Sequence, residues 1–208
     1  MPNWKTHLEV GRKLRKICDY NDKEYNLFLM GNILPDLNNG YMLQEISEKI
    51  GHETTHFVIE GNPSYENFYS KYKNEIKKSP LLMGCFTHLF VDWNFNNNFY
   101  TTYRDENLGK YSRDELRMMK QHDFRIFNNN FLDNMIDLDY FEEVVKESKK
   151  IEELSLTVKD IKDAVDFSKM KIWYEGKYNF YSEEELEKLL GETLNKLTER
   201  IKKIKEED

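Results

Sequence analysis

Three histidines, His7, His56 and His88, are of a type that binds divalent cations. His88 shares one of the most apolar stretches of the chain with Asp92. In GCFTHLFVDWN, residues 84–94, His88 and Asp92 are four positions apart. At about 100° per residue that spacing puts both on one helix face, so both address the same object. Burying an imidazole and a carboxylate without partners costs several kcal/mol. Local hydrogen bonds or a bound cation must therefore satisfy them, and the two residues alone leave both answers open. The remaining histidines, His52 and His122, also fall within the first 122 residues.

Helices must position these groups. Four prolines, nine glycines and apolar residues spaced by three and four predict an all-α, single-domain multi-helix bundle over 1–208, with strand-like alternation nearly absent. Residues 1–130 would form the helical core around the site, and 131–208 would add packing helices. Thr6 with Glu9 reads as a capping box that places His7 in a first turn. A second helix runs from about Asp22 to Gly31, and Pro35 blocks its continuation, leaving Asp36 in a loop. A helical start is expected over Leu43–Ile50, and Tyr65–Lys77 has an amphipathic pattern. Ser79 and Pro80 cap and open the buried helix that carries His88 and Asp92 to about Asn97. Ser112 and Glu115 form another capping box, after which Asp123 shares a face with Leu116, Met119, Ile126 and Phe127. Arg104 or Arg125 is the expected partner if Asp123 is not at the site. The final helix carries a stripe from Leu186 to Ile204, with acids at its start and bases at its end.

Composition narrows the function. A net charge of −7 argues against a general nucleic-acid backbone binder, and an anionic substrate would need a local cation. Cys18 and Cys85 sit in apolar helical contexts and are too few for a thiolate zinc cluster. The opening MPNWKTHLEVGRKLRK has no apolar leader core, and no run of about 20 apolar residues occurs, so a cytoplasmic protein with no transmembrane segment is expected. The run WNFNNNFY lies between two readings, ordinary core and the lining of a substrate cleft.

The order MPNWKTHLEVGRKL, FLMGNILPD, TTHF and GCFTHLFVDWNFN resembles the zinc-dependent phospholipase C family, in particular its shorter intracellular bacterial branch, and is distantly similar to fungal zinc nucleases. The resemblance covers about residues 1–130. It implies that His7, Asp36, His56, His88 and Asp92 are zinc ligands, that Asp92 bridges two ions, and that Asp36 also serves as general base. Two departures reduce the implied three zincs to one or two. Trp4 is internal, so it has no free terminal amine to offer, and Asn98 stands where the family has a histidine. Four residues after His122 comes Ile126 in place of an acid, so a third subsite would be rebuilt from His122 or Asp123. His52 is expected at the surface or in a supporting role.

The function these residues and the resemblance imply is that of a zinc-dependent hydrolase of a phosphomonoester or phosphodiester that uses metal-activated water, with a small molecule or a lipid headgroup as substrate. Two rivals stand beside it. One is an HD-type phosphohydrolase built on His122 and Asp123, and the other is a non-catalytic metal-binding scaffold or partner-binding module.

Overall fold

A computed structural model describes residues 2–131 and 139–207. Among them every regular element is helical and no strand occurs. Residues 132–138, part of the expected C-terminal helical third, lie outside the described residues. The helices are α1 (Trp4–Cys18), α2 (Asp22–Gly31), α3 (His52–Thr55), α4 (Tyr65–Ile76), α5 (Pro80–Phe99), α6 (Asp105–Asn107), α7 (Arg113–Phe127), α8 (Phe141–Ser148), α9 (Val158–Lys169) and α10 (Glu183–Glu206). A 3-10 turn at Leu34–Asp36 follows α2, a π turn at Tyr100–Arg104 extends α5, and a second 3-10 turn at Asn128–Phe131 follows α7. Apolar residues from Trp4 to Ile204 form one contiguous core, to which the α10 stripe contributes. No helix among the described residues is long and apolar enough to cross a membrane.

Local signals explain most helix starts. Ser79 accepts from the Leu82 amide with Pro80 at the first helical position, and both Ser112 with Glu115 and Ser182 with Glu185 close capping boxes. Two expectations need correcting. α1 begins one turn early, because Asn3 caps the Trp4 amide, and Thr6 instead uses its amide and hydroxyl on Asn128 Oδ1. Residues 43–50 are not helical. Their polar groups find distant partners. Asn38 Nδ2 donates to the carbonyls of Glu48 and Ser155, and the Ser47 amide and hydroxyl both donate to Asp160 Oδ1. Those bonds replace the i to i−4 pairing that a helix needs.

The crossing of α2 and α5 sets the position of the site. At Gly31 and Gly84 the two backbones touch, and a Cβ on Gly84 would lie 2.2 Å from the Phe28 carbonyl oxygen. A Cβ on Gly31 would lie equally close to the Leu81 carbonyl. One turn beyond Gly84, this close approach lets His88 reach the backbone of Asn32 at the end of α2. Gly84→Ala is expected to cost about 3 kcal/mol, because the obstacle is backbone and cannot rotate away. Gly191→Ala in α10 meets nothing within 4 Å and should be neutral or stabilising by up to ~1 kcal/mol. Urea midpoints of the two variants beside wild type check both expectations.

Candidate metal centre

Four elements deliver five side chains to one point. α5 supplies His88 and Asp92, α1 supplies His7, the proline-bearing turn after α2 supplies Asp36, and His56 caps the end of α3. All five are buried, none more than 5% exposed. His56 Nε2 lies 3.2 Å from His88 Nε2 and 3.3 Å from Asp92 Oδ2, and His88 Nε2 lies 3.4 Å from that same oxygen. The three atoms make a nearly equilateral triangle. A tetrahedron with arms of about 2.0–2.1 Å, the usual zinc–nitrogen and zinc–oxygen lengths, has edges of about 3.3–3.4 Å. Asp36 Oδ1 stands 3.3 Å from His56 Nε2, and Asp36 Oδ2 stands 4.0 Å from His88 Nε2. On the other side, His7 Nε2 is 3.3 Å from Asp92 Oδ1, and its ring stacks on His88 with centroids 4.0 Å apart. Two overlapping groups able to hold a metal ion result, Asp36 with His56 and His88, and His7 with His88 and Asp92.

Neighbours aim the ligands. A carbonyl oxygen only accepts, so the 2.8 Å contact of His88 Nδ1 with the Asn32 carbonyl places the proton on Nδ1 and leaves the Nε2 lone pair facing the centre. His56 Nδ1 pairs with Thr55 Oγ1 at 2.9 Å, which turns its Nε2 inward. The Trp4 indole N–H donates to Asp36 Oδ2 at 3.1 Å, and Asn39 Nδ2 donates to Asp36 Oδ1 at 3.0 Å. Half-buried His52 stacks on His56 at 3.9 Å.

The protein's own hydrogen bonds do not close the centre. Both His7 nitrogens and both Asp92 oxygens are buried without an aligned hydrogen bond, although several lie within ion-pair distance of one another. Such atoms are costly unless something satisfies them together. Three imidazoles and two carboxylates suit a borderline divalent cation.

Charge is distributed accordingly. Burial opposes a proton on His56, but the adjoining carboxylates of Asp36 and Asp92 outweigh it and raise the group to about 9. Burial pushes Asp36 and Asp92 up, while the imidazoles of His88 and His56 pull harder and hold both below the usual carboxylate range. His7 is lowered by burial and by His88, and His52 is lowered to about 4 by burial and by His56.

His122 and Asp123 do not join the five. Asp123 is buried, but its oxygens accept from the amides of Asn179, Phe180 and Tyr181 and from Asn179 Nδ2, at 2.7–3.2 Å. It organises the turn before α10, and the partner expected to be an arginine is backbone. The His122 ring lies against Gly176, where an added Cβ would come within 2.5 Å of Nε2. Asn98 accepts from the Tyr181 hydroxyl at 3.0 Å, so neither it nor the 122–123 pair rebuilds a third subsite. Sequence reasoning missed the Trp4 indole, the Asn32 carbonyl and Lys120. Lys120 is buried, donates to Asn96 Oδ1 at 2.8 Å, and is lowered by burial to about 8 while Asp92 pulls the other way.

Comparison of the chain with known protein families, curated proteins and solved structures finds no match.

Because Asp36 and Asp92 are already ionised in the metal-free protein while His56 is protonated, zinc binding at pH 7 should release about one proton per ion. Apparent affinity should rise roughly tenfold per pH unit towards 9. Calorimetry in two buffers of different ionisation enthalpy reads the proton count. The same proton stabilises the metal-free fold fully below 6.5, and that contribution is lost as pH rises through about 9. Asp123→Ala should cost about 2–3 kcal/mol in a urea melt by stranding amide donors, with zinc uptake unchanged.

Proposed function

We propose that this protein is a zinc-dependent phosphoester hydrolase of the zinc-dependent phospholipase C type. The triangle of His56 Nε2, His88 Nε2 and Asp92 Oδ2, with edges of 3.2–3.4 Å, carries the reading. These residues would hold the ion, with Asp36 as a fourth ligand, and His7 with Asp92 Oδ1 would offer a second, less complete position. A zinc ion there supplies Lewis acidity, acidifying water and drawing charge from a phosphoryl oxygen.

The chain's own groups define the remaining roles. Asn32 and Thr55 keep the imidazole lone pairs on the centre. Trp4 and Asn39 fix both oxygens of Asp36, the one member of the five whose side chain keeps any exposure. A carboxylate held this low accepts a proton poorly at neutral pH. Asp36 is therefore better suited to ligation and to orienting water than to general-base work.

One observation favours a second reading. All five residues are buried, with Asp36 the most exposed at 5%, and structural metal sites are closed whereas catalytic ones keep an open position. In that reading the ion stabilises a scaffold and nothing is hydrolysed. The HD-type alternative has no such support, since the Asp123 oxygens are taken up by backbone amides.

Metal content by mass spectrometry, read beside turnover of bis(p-nitrophenyl) phosphate and p-nitrophenyl phosphate, separates the readings. A hydrolase should carry one or two zincs, and Asp92→Asn should lose both the metal and more than about a hundredfold of the activity. A scaffold should hold zinc without turnover and melt at a lower temperature when a chelator removes it. Zinc below a tenth of an equivalent after zinc is supplied overturns both.

A further inference from the structure

One turn beyond Asp92 on α5 lies the buried carbonyl of the Asn96 side chain, and the Lys120 ammonium is held against it. The ammonium also sits over the rings of Phe99 and Tyr100, at 5.1 and 5.3 Å from their centroids. From there a cleft of about 370 Å³ opens between the end of α5, α7 and the turn around Gly61. Arg113, Arg117 and Lys120 line it from one face of α7, at spacings of four and three. Arg104 enters from the π turn, its guanidinium 5.0 Å from the Tyr100 ring. Glu60 and Asp114 also line the cleft, so four cations face two carboxylates.

These cations gather on a chain whose net charge is −7. Arg12, Arg15 and Arg200 each pair with a carboxylate. Among the described residues, no carboxylate lies within ion-pair distance of Arg104, Arg113, Arg117 or Lys120. Arg117 is close enough to Lys120 to disfavour its charge. An excess of like charges gathered in a concave site, none of them in an ion pair, is the electrostatic arrangement of an anion receptor. Guanidinium groups are suited to phosphate because their fork matches two of its oxygens.

We infer that this cleft binds a phosphate-type anion and, resting on the hydrolase reading above, that it holds a phosphoryl group of the substrate other than the scissile one. The substrate class is then a small molecule that bears a second phosphoryl group besides the scissile ester. Phe99 and Tyr100, from the run WNFNNNFY, form part of its wall.

The test titrates protein as purified with inorganic pyrophosphate and with orthophosphate by calorimetry. Wild type is compared with an Arg113→Gln, Arg117→Gln double variant, both exposed positions on α7, and with Asp92→Asn. Wild type should bind pyrophosphate more tightly than orthophosphate. The double variant should weaken pyrophosphate binding at least tenfold with zinc content and melting temperature unchanged, and Asp92→Asn should still bind it. Equal affinity in wild type and the double variant overturns the proposal, as does absence of pyrophosphate binding by wild type. Turnover without arginine-dependent binding removes the subsite and leaves the hydrolase. Arginine-dependent binding in a protein that hydrolyses no ester keeps the anion cleft and removes its assignment to a substrate.

Discussion

Two carboxylates, one fully buried and one nearly so, must be neutralised inside the fold. Asp36 and Asp92 both lie 3.3 Å from His56 Nε2, and in a poorly polarisable interior each unmatched charge costs several kcal/mol. Without a metal, the proton that the two carboxylates hold on His56 is the nearest compensation. It leaves His7 and Asp92 without aligned partners. A divalent cation balances both carboxylates and turns the contacts of 3.2–3.4 Å into the natural spacing of ligands around one ion.

The rest of the structure serves that requirement through α5, a helix buried on nearly every side. Gly84 brings it into backbone contact with α2, which places the Asn32 carbonyl where it orients His88. Its next turns use asparagines as ties. Asn94 Nδ2 donates to Thr193 on α10, Asn96 accepts from Lys120 on α7, and Asn98 accepts from Tyr181. One helix thus presents ligands to the centre, anchors the surrounding helices, and ends in the wall of a cationic cleft.

Features governed by neighbours in sequence were legible. The Ser79–Pro80 start, the capping box at Ser112, and the shared face of His88 and Asp92 all follow from residues within one turn. Features governed by distant partners were not. Residues 43–50 carry a helical pattern but bond to Asp160 and to the Asn38 side chain, more than 100 positions away in the first case. Asp123 gives the same signal as a buried ligand, an acid among apolar neighbours, and only the turn at 179–181 reveals its use. The Gly31–Gly84 contact looks in sequence like two weak helix positions. In the case of Asp36, the residues suggested a loop aspartate, while the indole that orients it lies 32 positions earlier.

Whether the five buried side chains hold an ion is read most directly by zinc-edge X-ray absorption on the metal-loaded protein. The expected spectrum shows nitrogen and oxygen neighbours at about 2.0–2.1 Å, with the multiple-scattering pattern of at least two imidazoles and no sulfur. A shell of water oxygens without imidazole, or one containing sulfur from Cys18 or Cys85, would contradict a His/Asp centre.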